Sequence, residues 1–333
     1  MEFEIMMFDN DLQPSFKMEG YYVWCGSVIR GEDGRYHMFA SRWKREHTFH
    51  PGWSTHSEVV RAVADTPSGP FEFQEVVLPA RGPEYWDGCA THCPQIVKRG
   101  NQYLLFYIGT SYAVEVTDEN RQDMGTISRA SKRIGMAVAD SVCGPWKRPE
   151  APAITAKPGT FYSYFVSNPA PVIEPDGSIL VLFKARKYLD QSCKFSNFYI
   201  GAARAADPES PFEVISPVPL FGPDTPNGVI EDPFLWIDRD GLYHMLAKDM
   251  LGTIAGSEAD GMEFVSENGV DWKFRQIAYT RGTLALRERP FILFDENKEP
   301  VALYTATAEI FPYRNPAAHT WNSVCLYKKI KPQ

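Results

Sequence analysis

The stretch FLWIDRDGLYHMLAKD, residues 234–249, decides the fold. It reads as a short apolar strand, an acidic turn closed by Asp240-Gly241, and a second, aromatic-rich strand. Glycine accepts positive φ at little steric cost, so an Asp-Gly pair between two apolar runs marks a hairpin. The same pattern recurs as SVIRGEDGRYHMFASR (27–42), QIVKRGNQYLLFYIGT (95–110), APVIEPDGSILVLFKAR (170–186) and FILFDENKEPVALYTA (291–306). An isolated two-stranded hairpin is marginal in water, so each copy needs neighbours to bury its faces.

A second motif follows three of the hairpins: RAVADTPSGPFEF (61–73), GMAVADSVCGPWKR (135–148) and GAARAADPESPFEV (201–214). A weaker fourth copy is EFVSENGVDWKF (263–274), turned at Asn268-Gly269. Each runs a small-residue strand into a turn and then an aromatic strand. Hairpin plus second motif makes four strands, and five such units in series predict one five-bladed β-propeller over residues 1–333. The last unit has only one further strand, SVCLYKKI from Ser323, so Phe3-Glu-Ile-Met-Met-Phe is expected to complete it and close the ring. A two-sheet sandwich also shows short strands and turns, but would not repeat this pair of motifs in order.

Composition narrows the function. A 333-residue chain that is 44% hydrophobic and 14% aromatic can bury a large core without staples. Its net charge of −8, with both signs interspersed, disfavours nucleic acid and anionic membrane surfaces as partners. The N-terminus has no basic region followed by an apolar one, and no apolar run is long enough to span a bilayer. The expected location is therefore cytoplasmic, unless a leader has been removed. Six cysteines lie scattered without a repeated C-x-x-C, which fits free thiols rather than a disulfide framework.

Aligning the five hairpins brings five residue pairs to one position, where the innermost strands begin. They are Trp24-Cys25, His92-Cys93, Ser167-Asn168, Glu231-Asp232 and Glu288-Arg289, each preceding Gly or Pro. An unpaired buried charge is costly, so core packing alone would not choose these residues. The ring is thus a site candidate, with salt bridges between blades as the bland alternative. Arg42, Lys184, Arg186, Lys248 and Asp249 end the outgoing strands, and cations converging on a channel favour an anionic group; solvated strand ends are the plain alternative. His56, Ser57 and Glu58 precede a strand, and Trp86-Asp87 lies just upstream of His92. Trp24, Trp43, Trp53, Trp86 and Tyr188 could stack on sugar faces or pack between blades.

The blade pattern, the A-x-A-D-S-x-x-G-P-[FW] repeat and Trp86-Asp87…His92-Cys93-Pro94 resemble the five-bladed glycosidases, nearest to glycoside hydrolase families 43 and 117. The resemblance covers nearly the whole chain and implies an O-glycosyl hydrolase. Family 43 places a general-base Asp before the Pro of its first blade, where this chain has Cys25. Its general acid, the Glu of an E-G-P motif, falls on Glu231 in Glu231-Asp232-Pro233 and less closely on Glu288. Its second Asp, which tunes the acid, lies in blade two, where His92, Cys93 and Gln95 stand. The base has no counterpart in place: Asp232, Asp87 or Glu58 takes it over, or His92 participates, or hydrolysis is lost. Gly228-Val-Ile-Glu-Asp-Pro233 is also similar to the E-D-P motif of family 130, whose mannoside phosphorylases would give Arg42, Lys184, Lys248 and Arg289 a phosphate to bind.

Cleaving a glycosidic bond takes one carboxylic acid to protonate the leaving oxygen and usually a second carboxylate. The expectation is an exo-acting hydrolase of a small plant or algal oligosaccharide, anionic sugars included. Glu231, Asp232, Asp87, Glu58 and Glu288 are its candidate catalytic residues. Trp24, Arg42, His56, His92, Asn168, Lys184, Lys248 and Arg289 are the candidate substrate contacts. No cofactor is required; a divalent cation in the channel stays open, with His92 as its ligand. A non-catalytic sugar-binding propeller and a phosphorylase are the alternatives.

Overall fold

A computed structural model describes residues 12–191, 194–256, 258–313 and 315–327. After β1 (Gln13–Phe16), the first sheet runs β2 (Tyr21–Arg30), β3 (Tyr36–Lys44), β4 (Glu58–Ala64) and β5 (Glu72–Leu78). The second holds β6 (Ala90–Arg99), β7 (Gln102–Thr110) and β8 (Arg133–Ala139). The third holds β9 (Phe165–Ile173), β10 (Ile179–Arg186), β11 (Tyr199–Ala205) and β12 (Glu213–Val214). The fourth holds β13 (Ile230–Ile237), β14 (Tyr243–Asp249), β15 (Gly261–Ser266) and β16 (Lys273–Tyr279). The fifth joins β17 (Leu286–Phe294), β18 (Pro300–Ala308) and β19 (Trp321–Leu326) to β1.

These are the five antiparallel blades of a propeller. In the second blade the fourth strand shrinks to bridges at Val138–Lys147 and Ile134–Ile154. Closure by the two ends of the chain holds, and within the described residues the closing strand is β1, paired to β19 through Gln13–Val324. The strand expected at residues 3–8 lies outside them.

The second motif joins the blades. Its Pro-flanked aromatic reaches back onto the second strand of the preceding blade. Phe71 meets Tyr304 with ring centroids 6.2 Å apart, Trp146 meets Phe39 at 5.4 Å, and Phe212 meets Phe106 at 5.9 Å. Phe221–Phe264 at 5.1 Å and Phe234–Phe291 at 4.8 Å cover the remaining two boundaries. Each such aromatic pair contributes about 0.5–1.5 kcal/mol beyond its buried area. Five sheets therefore close on one another rather than lie flat.

The two ends of the barrel-like ring differ. At the base the hairpins are short, and Gly34, Gly100, Gly177 and Gly241 turn four of them at φ of 80°, 57°, 87° and 85°. At the opposite end the second and third strands are joined by long segments: 45–57, 111–132, 187–198, 250–260 and 309–320. Two of these carry helices, α1 (Gly52–Thr55) and α2 (Arg121–Ala130). No helix signal had stood out in the sequence there, because α2 is short and mostly polar. No helix among the described residues is long and apolar enough to cross a membrane.

Candidate active site at the channel mouth

Each innermost strand breaks its ladder at the aligned pair. The pairing register shifts between Trp24 and Ser27, His92 and Gln95, Glu231 and Phe234, and Glu288 and Phe291. In blade three the shift falls opposite Asn168, between Leu182 and Lys184. At each bulge the second residue of the pair is left-handed: Cys25 at φ 57°, Cys93 at 55°, Asn168 at 47°, Asp232 at 60° and Arg289 at 56°. None is glycine, and such backbone is strained for a side chain by about 1–3 kcal/mol. A bulge re-aims side chains beside active sites. Here it delivers two consecutive side chains per blade towards the axis.

Blades four and five meet as an ion network. The Glu231 carboxylate accepts from Lys184 and, at 3.1 Å, from Lys248. Lys248 Nζ also reaches Glu288 Oε1 at 2.5 Å. Arg289 Nη1 donates to Asp232 Oδ1 at 2.8 Å, and Asn168 Nδ2 donates to the same oxygen at 2.8 Å. Burial raises the Glu231 carboxyl, but the charges of Lys184, Lys248 and Arg289 outweigh it and hold the group well below its usual range. Asp232 moves the other way: burial lifts it, Arg289 opposes, and the Glu231 charge adds to the rise. Two neighbouring carboxyls are thus pushed apart.

Blades one and two complete the circle with softer groups. Cys25 Sγ lies 3.7 Å from His92 Nε2, whose Nδ1 is 2.9 Å from Ser57 Oγ. Burial, then the Arg289, Lys132 and Lys184 charges, drive the His92 pKa well down, so the imidazole is neutral. Arg289 Nη1 reaches Cys93 Sγ at 3.5 Å and ties the two halves together. Trp24 is buried, edge-on to Phe49 at 5.3 Å. Cys25, Cys89, Cys93, Cys143 and Cys325 are free thiols; Cys193 lies outside the described residues.

Several expected site residues stand elsewhere, although Lys184 and Lys248 do not. Lys184 and Lys248 pair across the ladder with Ser167 and Glu231, the leading residues of their ring pairs. Arg42 pairs with Val23, one residue off, so it points to the opposite face of its sheet. There it bonds Glu58 at 2.8 Å and lies over the Tyr21 and Phe73 rings. Glu58 is thereby committed to the blade surface. Asp249 shares Arg42's register and accepts the amides of Leu251, Ile254 and Ala255. Asp87 is fully buried, its oxygens held by Arg81, Arg148 and the Tyr107 hydroxyl, so it fastens the approach to β6. His56 stacks on His47 at 3.6 Å in the segment above blade one. Trp43 and Trp86 pack internally, Trp86 on Tyr107.

The carboxylates of Glu231, Asp232 and Glu288 bring oxygens within 4.8 Å of one another, the spacing of a cation site. Lys184, Lys248 and Arg289 already occupy those oxygens, so the trio fits protein cations rather than a divalent ion. His92 is not among the three, which moves the metal question away from it.

Two residues were missed by pattern reading. Lys132, the last residue before β8, reaches Ser167 Oγ at 3.5 Å and sits under the ring. Tyr313, on the segment above blade five, is about half exposed, packs on Phe49 with ring centroids 4.9 Å apart, and lies in the field of the Glu288 and Glu231 charges. Aligning the residues that precede each third strand (Ser57, Lys132, Phe198, Asp260 and Thr320) would have pointed to Lys132.

Fold and site together define a five-bladed propeller with a charged, strained ring at one mouth. Among solved structures it is similar to Zg3597, a family 117 glycoside hydrolase from the marine bacterium Zobellia galactanivorans. That match has TM-score 0.68 and 15% identity, covering 96% of this chain and 91% of the other. It is also similar to an endo-arabinase from Bacteroides thetaiotaomicron, with TM-score 0.61, 15% identity and coverage of 96% and 98%. A family 43 β-xylosidase/α-arabinofuranosidase from a compost metagenome gives TM-score 0.63, 14% identity and coverage of 95% and 93%. No family model matches the sequence, and no curated protein matches it. The fold resemblance expected from the blade repeat is therefore found.

Proposed function

We propose that the chain is a glycoside hydrolase acting from the end of a small oligosaccharide at this mouth. The observation that carries the reading is the Glu231–Asp232 pair, two adjacent carboxyls driven in opposite directions on a strained bulge. Environments that split neighbouring pKa values are how one site holds both a proton donor and a charged carboxylate. Because the two share one field, the proton belongs to the pair rather than to either residue. The pair would protonate the leaving oxygen. Glu288, joined to Glu231 through Lys248 and more exposed than either member, would face the incoming water. The propeller neighbours named as glycoside hydrolases are consistent with this chemistry.

The test is turnover on an oligosaccharide panel. Glu231→Gln and Asp232→Asn should each lower it by about 10²–10⁴-fold, the usual worth of a positioned acid or base, with the fold retained. Near-full activity in both variants would refute the assignment. Cys25, standing where the resembled family has its base, favours a second reading: a sugar-binding propeller without turnover. Calorimetric binding with no product on long incubation would select it. Release of a sugar 1-phosphate only when phosphate is present would instead select a phosphorylase.

A further inference from the structure

The cations at the mouth fall into two kinds. Lys184, Lys248 and Arg289 are spent on carboxylates. Lys132 and Arg186 are not: among the described residues neither forms an ion pair. Lys132 is 2% exposed, yet its ammonium has only the 3.5 Å contact to Ser167 Oγ. It otherwise lies over the Trp53 and Phe165 rings, 4.4 and 4.3 Å from their centroids. Arg186 lies over Phe198 and Phe195 at 4.2 and 4.9 Å, and its buried Nε has no hydrogen-bond partner. Arg186 pairs with Phe165 two residues beyond Lys184, so both point from the same face of β10.

A buried ammonium without a carboxylate is costly and persists where something else requires it. Aromatic faces stabilise a cation without consuming its hydrogen-bond donors. The carboxylate whose field reaches both cations is Glu231, already held by Lys184 and Lys248. Burial, then the Lys184, Arg129 and Arg289 charges, pull the Lys132 pKa well below its usual value, a deficit that an arriving anion would repair.

We infer that the corner between blades two and three is a recognition subsite for an oxyanion carried on a sugar, a carboxylate or a sulfate ester, with Lys132 and Arg186 as its donors. The sugar rests on the glycoside-hydrolase reading; the charge rests on this corner alone. The Arg186 guanidinium, flanked by Phe195 and Phe198, would offer its fork to the oxyanion, and the Lys132 ammonium, flanked by Trp53 and Phe165, would donate from the Ser167 side.

Calorimetry of the full chain with matched monosaccharides tests it: galacturonate and galactose 6-sulfate against galactose, glucuronate against glucose, and inorganic phosphate alone. At least one acidic sugar should bind roughly tenfold or more tighter than its neutral partner, the worth of charge-assisted hydrogen bonds. Lys132→Met and Arg186→Met should each erase that preference, so that the acidic sugar binds no tighter than its neutral partner. Lys132→Met removes an unpaired buried charge, so its melting temperature should be no lower than the parent's. Equal binding of acidic and neutral sugars, no binding of any probe, a preference that survives both variants, or phosphate binding tighter than every acidic sugar would each overturn the inference. Binding is read without turnover. An active enzyme with no acid preference sinks this subsite alone, and acid binding without hydrolysis sinks only the glycosidase reading.

Discussion

The base and the mouth of this propeller use the same left-handed backbone conformation for opposite ends. At the base, glycine fills it in four of the five hairpins, at Gly34, Gly100, Gly177 and Gly241, and Lys298 fills it in the fifth blade at φ 58°. On the ring at the mouth it occurs five times, once per blade, and no ring position is glycine. A left-handed residue with a side chain costs about 1–2 kcal/mol relative to glycine. The base avoids that cost in four of its five turns, Lys298 being the exception. The mouth accepts it in every blade, and what it gains is a side chain aimed at the axis. Five of the eight left-handed non-glycine residues among those described lie on this ring, where the proposed chemistry would take place.

The largest test of that contrast is Arg289→Gly. It relieves the backbone but leaves Asp232 buried without its guanidinium, and breaking a buried pair costs about 3–5 kcal/mol. Net destabilisation in urea titrations, with loss of activity, is the expected result; a more stable protein would mean that the mouth is only a row of turns. Next comes Gly241→Ala at the base, which should cost about 1–2 kcal/mol by the same measurement while turnover stays intact.

Acid sharpens the comparison through the histidines. Burial first, then neighbouring positive groups, lowers His50 and His56 above blade one to about 4. Both are neutral in the fold, whereas the unfolded chain protonates near 6.5. The unfolded state therefore binds more protons between those values, so the stability from these groups is full above about pH 6.5 and lost as pH falls towards 4. At the base, burial raises Glu32, but hydrogen bonds from Ser141, Tyr103 and Val142 carry it down to about 2. Its contribution persists above 4.5 and fades only towards pH 2. Hydrogen exchange at pH 5 should thus show segment 45–57 opening before hairpin 31–35; the reverse order would contradict the assignment. The smallest effect is expected from Lys298→Gly. Relief of strain there is offset by loss of the Nζ bonds to the Ile237 and Asp238 carbonyls, leaving a change below about 1 kcal/mol.

Much of this was legible before any coordinates. The Asp-Gly turns gave the hairpins, and the second motif gave the blades and the order in which they close. Aligning the turns found the ring pairs, including all five left-handed positions. The misplaced residues fail for separate reasons. Arg42 ends its outgoing strand as Lys184 and Lys248 do, but a strand alternates faces, so one residue of register turns it outward. Asp87 precedes its strand and is captured by Arg81 and Arg148, the second of which lies far along the chain. Lys132 was missed because it follows a long polar segment whose path over the mouth has no periodic signature.

By itself, the sequence determined the repeat, the fold it implies, and which residue pairs occupy equivalent positions, because strand periodicity and turn chemistry are local properties. Only the tertiary structure decided which charges neutralise one another. That depends on distances between blades far apart in the chain, and it separates Lys184, Lys248 and Arg289, each ion-paired to a carboxylate, from Lys132 and Arg186, which form no ion pair among the described residues.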